Sequence, residues 1–96
     1  MLSITPADLS KMKKDELNKE ILRLGMIAEL DATSLYEQLA AMTDRADIKT
    51  ILTDIAKEEK THMGEFQALL LKYDPEQKKE LEEGAKEVKE KAGKKV

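Results

Sequence analysis

The chain has 96 residues, of which 41% are hydrophobic, 39% charged and only 3% aromatic, and its formal net charge is −3. That balance excludes the basic face of a nucleic-acid binder, and no stretch is apolar and long enough to cross a bilayer. The lack of cysteine excludes a disulfide framework, thiol catalysis and a thiolate metal site.

Ala, Glu, Lys, Leu and Arg supply 53 residues, against two Pro and four Gly, which predicts a nearly all-helical chain. The length is near the lower limit for burying a sufficient core alone. Residues 1–12 read as a leader, with Thr5-Pro6-Ala7-Asp8 resembling a brief capped turn. They show no basic-then-apolar secretory pattern, which fits a cytoplasmic location.

From about Lys13 to Met42 the pattern is helical, interrupted by one glycine, Gly25. At about 100° per residue, Leu22, Met26, Thr33, Tyr36 and Ala40 share one face with Glu29. In the next segment Ile48, Leu52, Ile55, Met63, Phe66, Leu70 and Tyr73 share a face centred on Glu59. One unbroken helix would put these stripes about 120° out of register. A turn near Asp44 to Asp47 removes the conflict, so residues 13–73 are expected to form an antiparallel helical hairpin.

Asp74-Pro75 then reads as N-cap and first residue of a third helix over 75–92. It carries a thin stripe of Leu81, Ala85, Val88 and Ala92, with Glu82–Lys86 and Glu87–Lys91 at helical spacing. Gly93 to Val96 is expected to fray. Met26, Met42 and Met63 are expected to fill the core. Gly25, on the inner face, costs roughly 1 kcal/mol relative to alanine and is expected to allow close packing.

The chemistry concentrates at Glu59-Lys60-Thr61-His62, a Glu-x-x-His motif that sets carboxylate and imidazole one turn apart. In ferritin-like di-iron bundles such a motif, with a lone glutamate from another helix, makes half of a metal site. Glu29 is the lone candidate: between Asn18 and Ala40 every other charge lies at least roughly 80° away around the helix. Glu59 likewise stands among Leu52, Ile55, Met63 and Phe66. A carboxylate on an apolar face without a partner costs several kcal/mol, and no Lys or Arg shares either face. Two copies would gather four such carboxylates, carrying about −4, and two His62. Two divalent cations balance that charge, and two hairpins complete the four-helix bundle that one cannot form. The ligands suit Fe(II), Mn(II) or Zn(II).

The stretch Ile27 to Gln38, followed by Glu58-Glu59-Lys60-Thr61-His62, closely resembles encapsulated ferritins over roughly residues 15 to 75. The likeness is closest to the archaeal form, in which a similar domain can be fused to its encapsulin shell. The resemblance implies one ferritin-like domain, a hairpin dimerising at a di-iron site, and a ring of dimers, a decamer in such proteins. It also implies ferroxidase activity, Fe(II) oxidised by dioxygen, with mineral stored in a cytoplasmic encapsulin nanocompartment. The family's ferroxidase ligands fall on Glu29, Glu59 and His62, and Tyr36 matches a tyrosine beside the centre. Where some members carry further acidic residues for iron access, this chain has Ala28 and keeps only Asp31. Lys91 to Val96 does not resemble a shell-targeting peptide, so a fused or truncated domain is expected. Two other functions fit the same residues, a rubrerythrin-like peroxidase and a non-catalytic metal-binding helical dimer.

Overall fold

Helix α1, Lys14–Met42, begins with Asp15 and Glu16 in its first turn, where carboxylates meet the positive end of the helix dipole. The computed structural model describes residues 9–93; a single 3-10 turn, Leu9–Lys11, precedes α1, and residues 1–8, with the expected turn at Thr5 to Asp8, lie outside the described residues. Helix α2, Ala46–Tyr73, packs antiparallel against α1, and α3, Pro75–Lys91, follows after a single residue. No strand occurs among the described residues.

The reversal between α1 and α2 takes only Thr43, Asp44 and Arg45. Thr43 (φ −79°, ψ 143°) and Arg45 (φ −94°, ψ 122°) are both extended, and the Arg45 N–H donates to Thr43 Oγ1 at 3.2 Å. Extended backbone suits any residue, which is why neither glycine nor proline marks this turn. The hairpin and all three helices thus match the expected boundaries closely.

At the other junction Asp74 does two jobs. Its Oδ1 accepts from the Gln77 N–H at 3.0 Å, capping α3, and its Oδ2 accepts from Arg23 Nη2 of α1 at 3.1 Å. The Gln77 N–H holds the buried Asp74 carboxyl below its ordinary value of 3.8; Lys19 and Arg23 act in the same direction, and burial opposes them. A depressed folded pKa means this contribution is complete above the unfolded value and vanishes as pH falls through the folded one. Asp74→Ala should therefore fray α3 at pH 7, losing helical ellipticity at 222 nm. The parent's advantage over it should shrink as pH falls below the ordinary value of 3.8 and be lost as pH passes through the lowered folded value. An ellipticity difference that persisted unchanged at pH 2 would refute the role of the ionised cap.

The interior is thin. Among the described residues only Ala40, Ala56 and Leu70 are buried apolar side chains, joined by Thr33 and Asp74. The extents are 47 × 44 × 19 Å, one helix layer deep, and the radius of gyration is 16.9 Å. A compact chain of this length would have a radius near 12.5 Å. Two helices in one layer cannot surround a core.

A second apolar stripe explains where the missing core belongs. Leu17, Ile21, Leu24, Ala28, Ala32, Leu35, Leu39 and Met42 recur every three or four residues along α1, beside the face that meets α2. On α2 the matching stripe is Ile48, Ile51, Ile55, Leu69 and Tyr73. Because the helices are antiparallel, both stripes fall on one side of the hairpin, where Ile21, Met42, Ile48, Ile51, Leu69 and Tyr73 are exposed. Met42 is 79% exposed and is not the core filler expected of it; Met26 and Met63 are half-buried between the helices. Ile48 and Tyr73, expected on the buried face around Glu59, also belong to this open side. On the opposite side Lys60 and Glu37 pair across the hairpin at 3.2 Å. Helix α3 is almost wholly exposed; its expected Glu87–Lys91 pair forms at 3.7 Å, and Val88 remains 66% exposed.

Candidate metal centre

Glu29 leaves the middle of α1, while Glu59 and His62 leave α2 one turn apart, and the antiparallel packing brings all three to one level. One oxygen from each carboxylate and one imidazole nitrogen lie within 4.8 Å of one another. His62 Nδ1 stands 3.6 Å from Glu29 Oε2 and 3.6 Å from Glu59 Oε2. Both distances exceed a hydrogen bond, so the imidazole satisfies neither oxygen. The glutamate side chains are 19% exposed and the His62 side chain 46%, so the cluster opens toward the apolar side of the hairpin.

Glu29 Oε2 is buried and has no hydrogen-bond partner. Leaving such an atom unpaired costs about 1–3 kcal/mol, and more when it is charged. His62 is the only basic side chain in contact with either carboxylate among the described residues. By contrast the hydroxyl of buried Thr33, one turn further along α1, is satisfied by donating to the Glu29 carbonyl at 2.8 Å. Among the described residues, the one buried side-chain polar atom left orphaned is therefore a potential metal ligand.

These residues fit a divalent cation. Metal bonds of roughly 2.0–2.2 Å bring donors within about 4 Å of one another, a contraction that small side-chain rotations supply. Two carboxylates and one imidazole suit iron, manganese or zinc rather than Cu(I). One hairpin thus assembles a complete set of the three expected donors.

Tyr36 lies two turns beyond Glu29 on the same inner face, half-buried and outside the convergent group. Asp31 lies on a different part of α1 and is also outside it. The second apolar stripe is what sequence reasoning missed. Its 4-3 spacing from Leu17 to Met42 was visible, but the stripe containing Glu29 already accounted for one helix face, and a second implied a second contact.

Comparison with known proteins agrees with this fold. The rubrerythrin family profile matches residues 20–95. A ferritin-like-encapsulin shell fusion protein of Pyrococcus furiosus is 54% identical over 97% of this chain, the match covering 28% of that protein. The encapsulin nanocompartment cargo protein EncC of Myxococcus xanthus is 43% identical over 70% of this chain and 51% of its own length. The chain therefore spans about a quarter and about half of these two relatives. The crystal structure of the encapsulated ferritin domain from Pyrococcus furiosus superposes with a TM-score of 0.84 at 52% identity, covering 97% of each chain. The chain belongs to the rubrerythrin family of ferritin-like proteins, among the encapsulated ferritins.

Proposed function

We propose that this chain is a ferroxidase domain whose di-iron site is completed when two hairpins meet across their open apolar sides. The observation that carries the reading is the buried, unpartnered Glu29 Oε2, converging with Glu59 and His62 on a side of the molecule that has no cover. Closing two such sides together forms a four-helix bundle, buries the second apolar stripe and places two three-ligand clusters about the two-fold axis. Tyr36, two turns further along the same face of α1, is a candidate for a residue beside the completed centre. Asp31 is a candidate outer ligand on the path of incoming iron.

Fe(II) is the substrate. Glu29, Glu59 and His62 of the two chains would hold two Fe(II) ions, and each ion would supply one electron to dioxygen, reducing it to the peroxide level. The carboxylates also favour the Fe(III) product, because added positive charge is stabilised by anionic ligands. The chain's own contribution is to fix the donors and exclude bulk water by the surrounding apolar stripes.

The whole chain, residues 1–96, serves here as one ferritin-like domain. Two of its relatives are named as an encapsulin shell fusion and a nanocompartment cargo protein, which supports an encapsulin nanocompartment in the cytoplasm as its location; a ring of dimers is the assembly proposed for it. A ring of thin hairpins holds no mineral itself, so oxidised iron passes to the compartment. No helix among the described residues is long and apolar enough to cross a membrane.

The direct test is Fe(II) added in air to the purified protein, with ferric absorbance followed against a protein-free control. Growth well above the control is the expected result. A rate equal to the control would overturn the catalytic reading and leave a metal-binding or purely structural helical dimer.

A further inference from the structure

One turn from the ligands on either helix, Gly25 and Phe66 make the closest side-chain-to-backbone approach among the described glycines. A Cβ built on Gly25 would stand 2.8 Å from Cδ1, 2.8 Å from Cε1 and 2.9 Å from Cγ of Phe66. The ring therefore lies flat on the space that any other residue at position 25 would fill. Cγ sits next to the helix backbone, so the ring cannot clear a methyl group by moving its tip; the whole side chain must swing or the helices must part. Gly64 and Gly84, by contrast, have nothing within 4 Å of a built Cβ, so close approach is a property of Gly25 and not of glycine in these helices.

The placement of this contact relative to the cluster is what gives it a consequence. Gly25 precedes Glu29 by four residues, and Phe66 follows His62 by four. Each contact residue thus shares a helix stripe with a ligand, one turn of about 5.4 Å away. On the far side of the cluster the buried residues are Thr33 and Ala56, both small. Of the large side chains between α1 and α2 near the ligand level, Met26 and Met63 are flexible, and the tightest constraint on the helix separation is the Phe66 ring seated in the notch at Gly25. Glu29 is on one helix and Glu59 with His62 on the other, so this separation is the gap the metal must bridge.

We propose that Phe66, seated in the notch at Gly25, is a positioning residue that sets the separation of Glu29 from Glu59 and His62. The proposal rests on the metal-binding reading of those three residues. It touches no metal and moves no electron; it decides how far apart the two halves of the ligand set stand. Gly25→Ala wedges the helices at one end of the cluster and spreads the donors beyond their present 4.8 Å. Phe66→Leu removes about the volume that the alanine methyl adds, so the pair of changes together conserves volume.

The test is an anaerobic titration with Co(II) of the parent, Gly25→Ala, Phe66→Leu and the double variant, read by calorimetry and by the visible Co(II) spectrum. Thermal unfolding of the metal-free proteins is recorded beside it. Gly25→Ala should bind about 10- to 100-fold more weakly, the range found when a residue supporting a metal ligand is lost, with a changed Co(II) spectrum. The double variant should recover to within about threefold of the parent. Co(II) binding by Gly25→Ala that matched the parent in affinity and spectrum would overturn the proposal. So would a double variant no better than Gly25→Ala, or a loss of affinity that only tracked a loss of thermal stability across all four proteins. A parent that bound no Co(II) at all would remove the metal site itself, and the positioning role with it.

Discussion

Replacing Glu29, Glu59 or His62 singly by alanine should slow Fe(II) oxidation by at least about 100-fold, since loss of residues that merely support a ligand already costs 10–100-fold. The three changes should nevertheless affect the metal-free chain differently, and the difference tests the geometry. The His62 side chain is 46% exposed and makes no hydrogen bond among the described residues, so His62→Ala should alter stability by no more than about 0.5 kcal/mol. Glu29 has a buried oxygen without a partner, so Glu29→Leu should stabilise the metal-free protein by about 1 kcal/mol while abolishing oxidation. A gain in stability coupled to loss of activity is the mark of a site held at the expense of the fold. Thermal unfolding beside the ferric absorbance assay reads both effects. A Glu29→Leu protein that unfolded several degrees below the parent would show that Glu29 is a structural residue, and the metal reading would lose its main support.

The second large effect concerns the open side of the hairpin. Ile51 is exposed in the single chain, far from any ligand. On a true surface, Ile51→Lys would be worth within about 0.5 kcal/mol. Within a bundle interface it strands a charge without a partner, which costs several kcal/mol. Self-association should then weaken by at least 100-fold, or about 2.7 kcal/mol. Fe(II) should act in the opposite direction. Apposed clusters bring four carboxylates together, and cations that bind only the assembled site stabilise it by mass action, by about 2.7 kcal/mol at a hundred times their dissociation constant. Sedimentation velocity at low protein concentration, with and without anaerobic Fe(II), measures both. If Ile51→Lys sedimented like the parent and Fe(II) changed neither, the two open sides do not meet.

Both predictions arise from the same structural fact: the exposed apolar stripes and the Glu29, Glu59 and His62 cluster lie on the same side of the hairpin. Where a large enzyme buries its site within its own fold, this chain leaves half of its core and the mouth of its site on one exposed surface. On the proposed reading, core formation and site completion become one event, which would couple iron binding to assembly. The Asp74 junction serves a different end. By tying the start of α3 to Arg23 of α1, it fixes the departure of a helix that contributes almost nothing to the interior.

Much of this was legible before any coordinates. The hairpin followed from a phase conflict between two apolar stripes, because helical periodicity is local and survives in sequence. The Asp74-Pro75 start of α3 was legible for the same reason, since caps depend on neighbours within one turn. Glu29, Glu59 and His62 stood out because a lone charge on an apolar face is expensive wherever the helix ends up. Three things needed the tertiary structure. That the three donors converge within one chain depends on the level at which α1 and α2 cross, which no local pattern encodes. That Met42 and Ile48 are exposed rather than packed depends on there being only one helix layer, a property of how much chain is available to cover a face. And Gly25, readable in sequence only as a costly residue in a helix, acquires its meaning from Phe66, forty-one positions away, because close packing is decided by what lies across the interface and not by what lies along the chain.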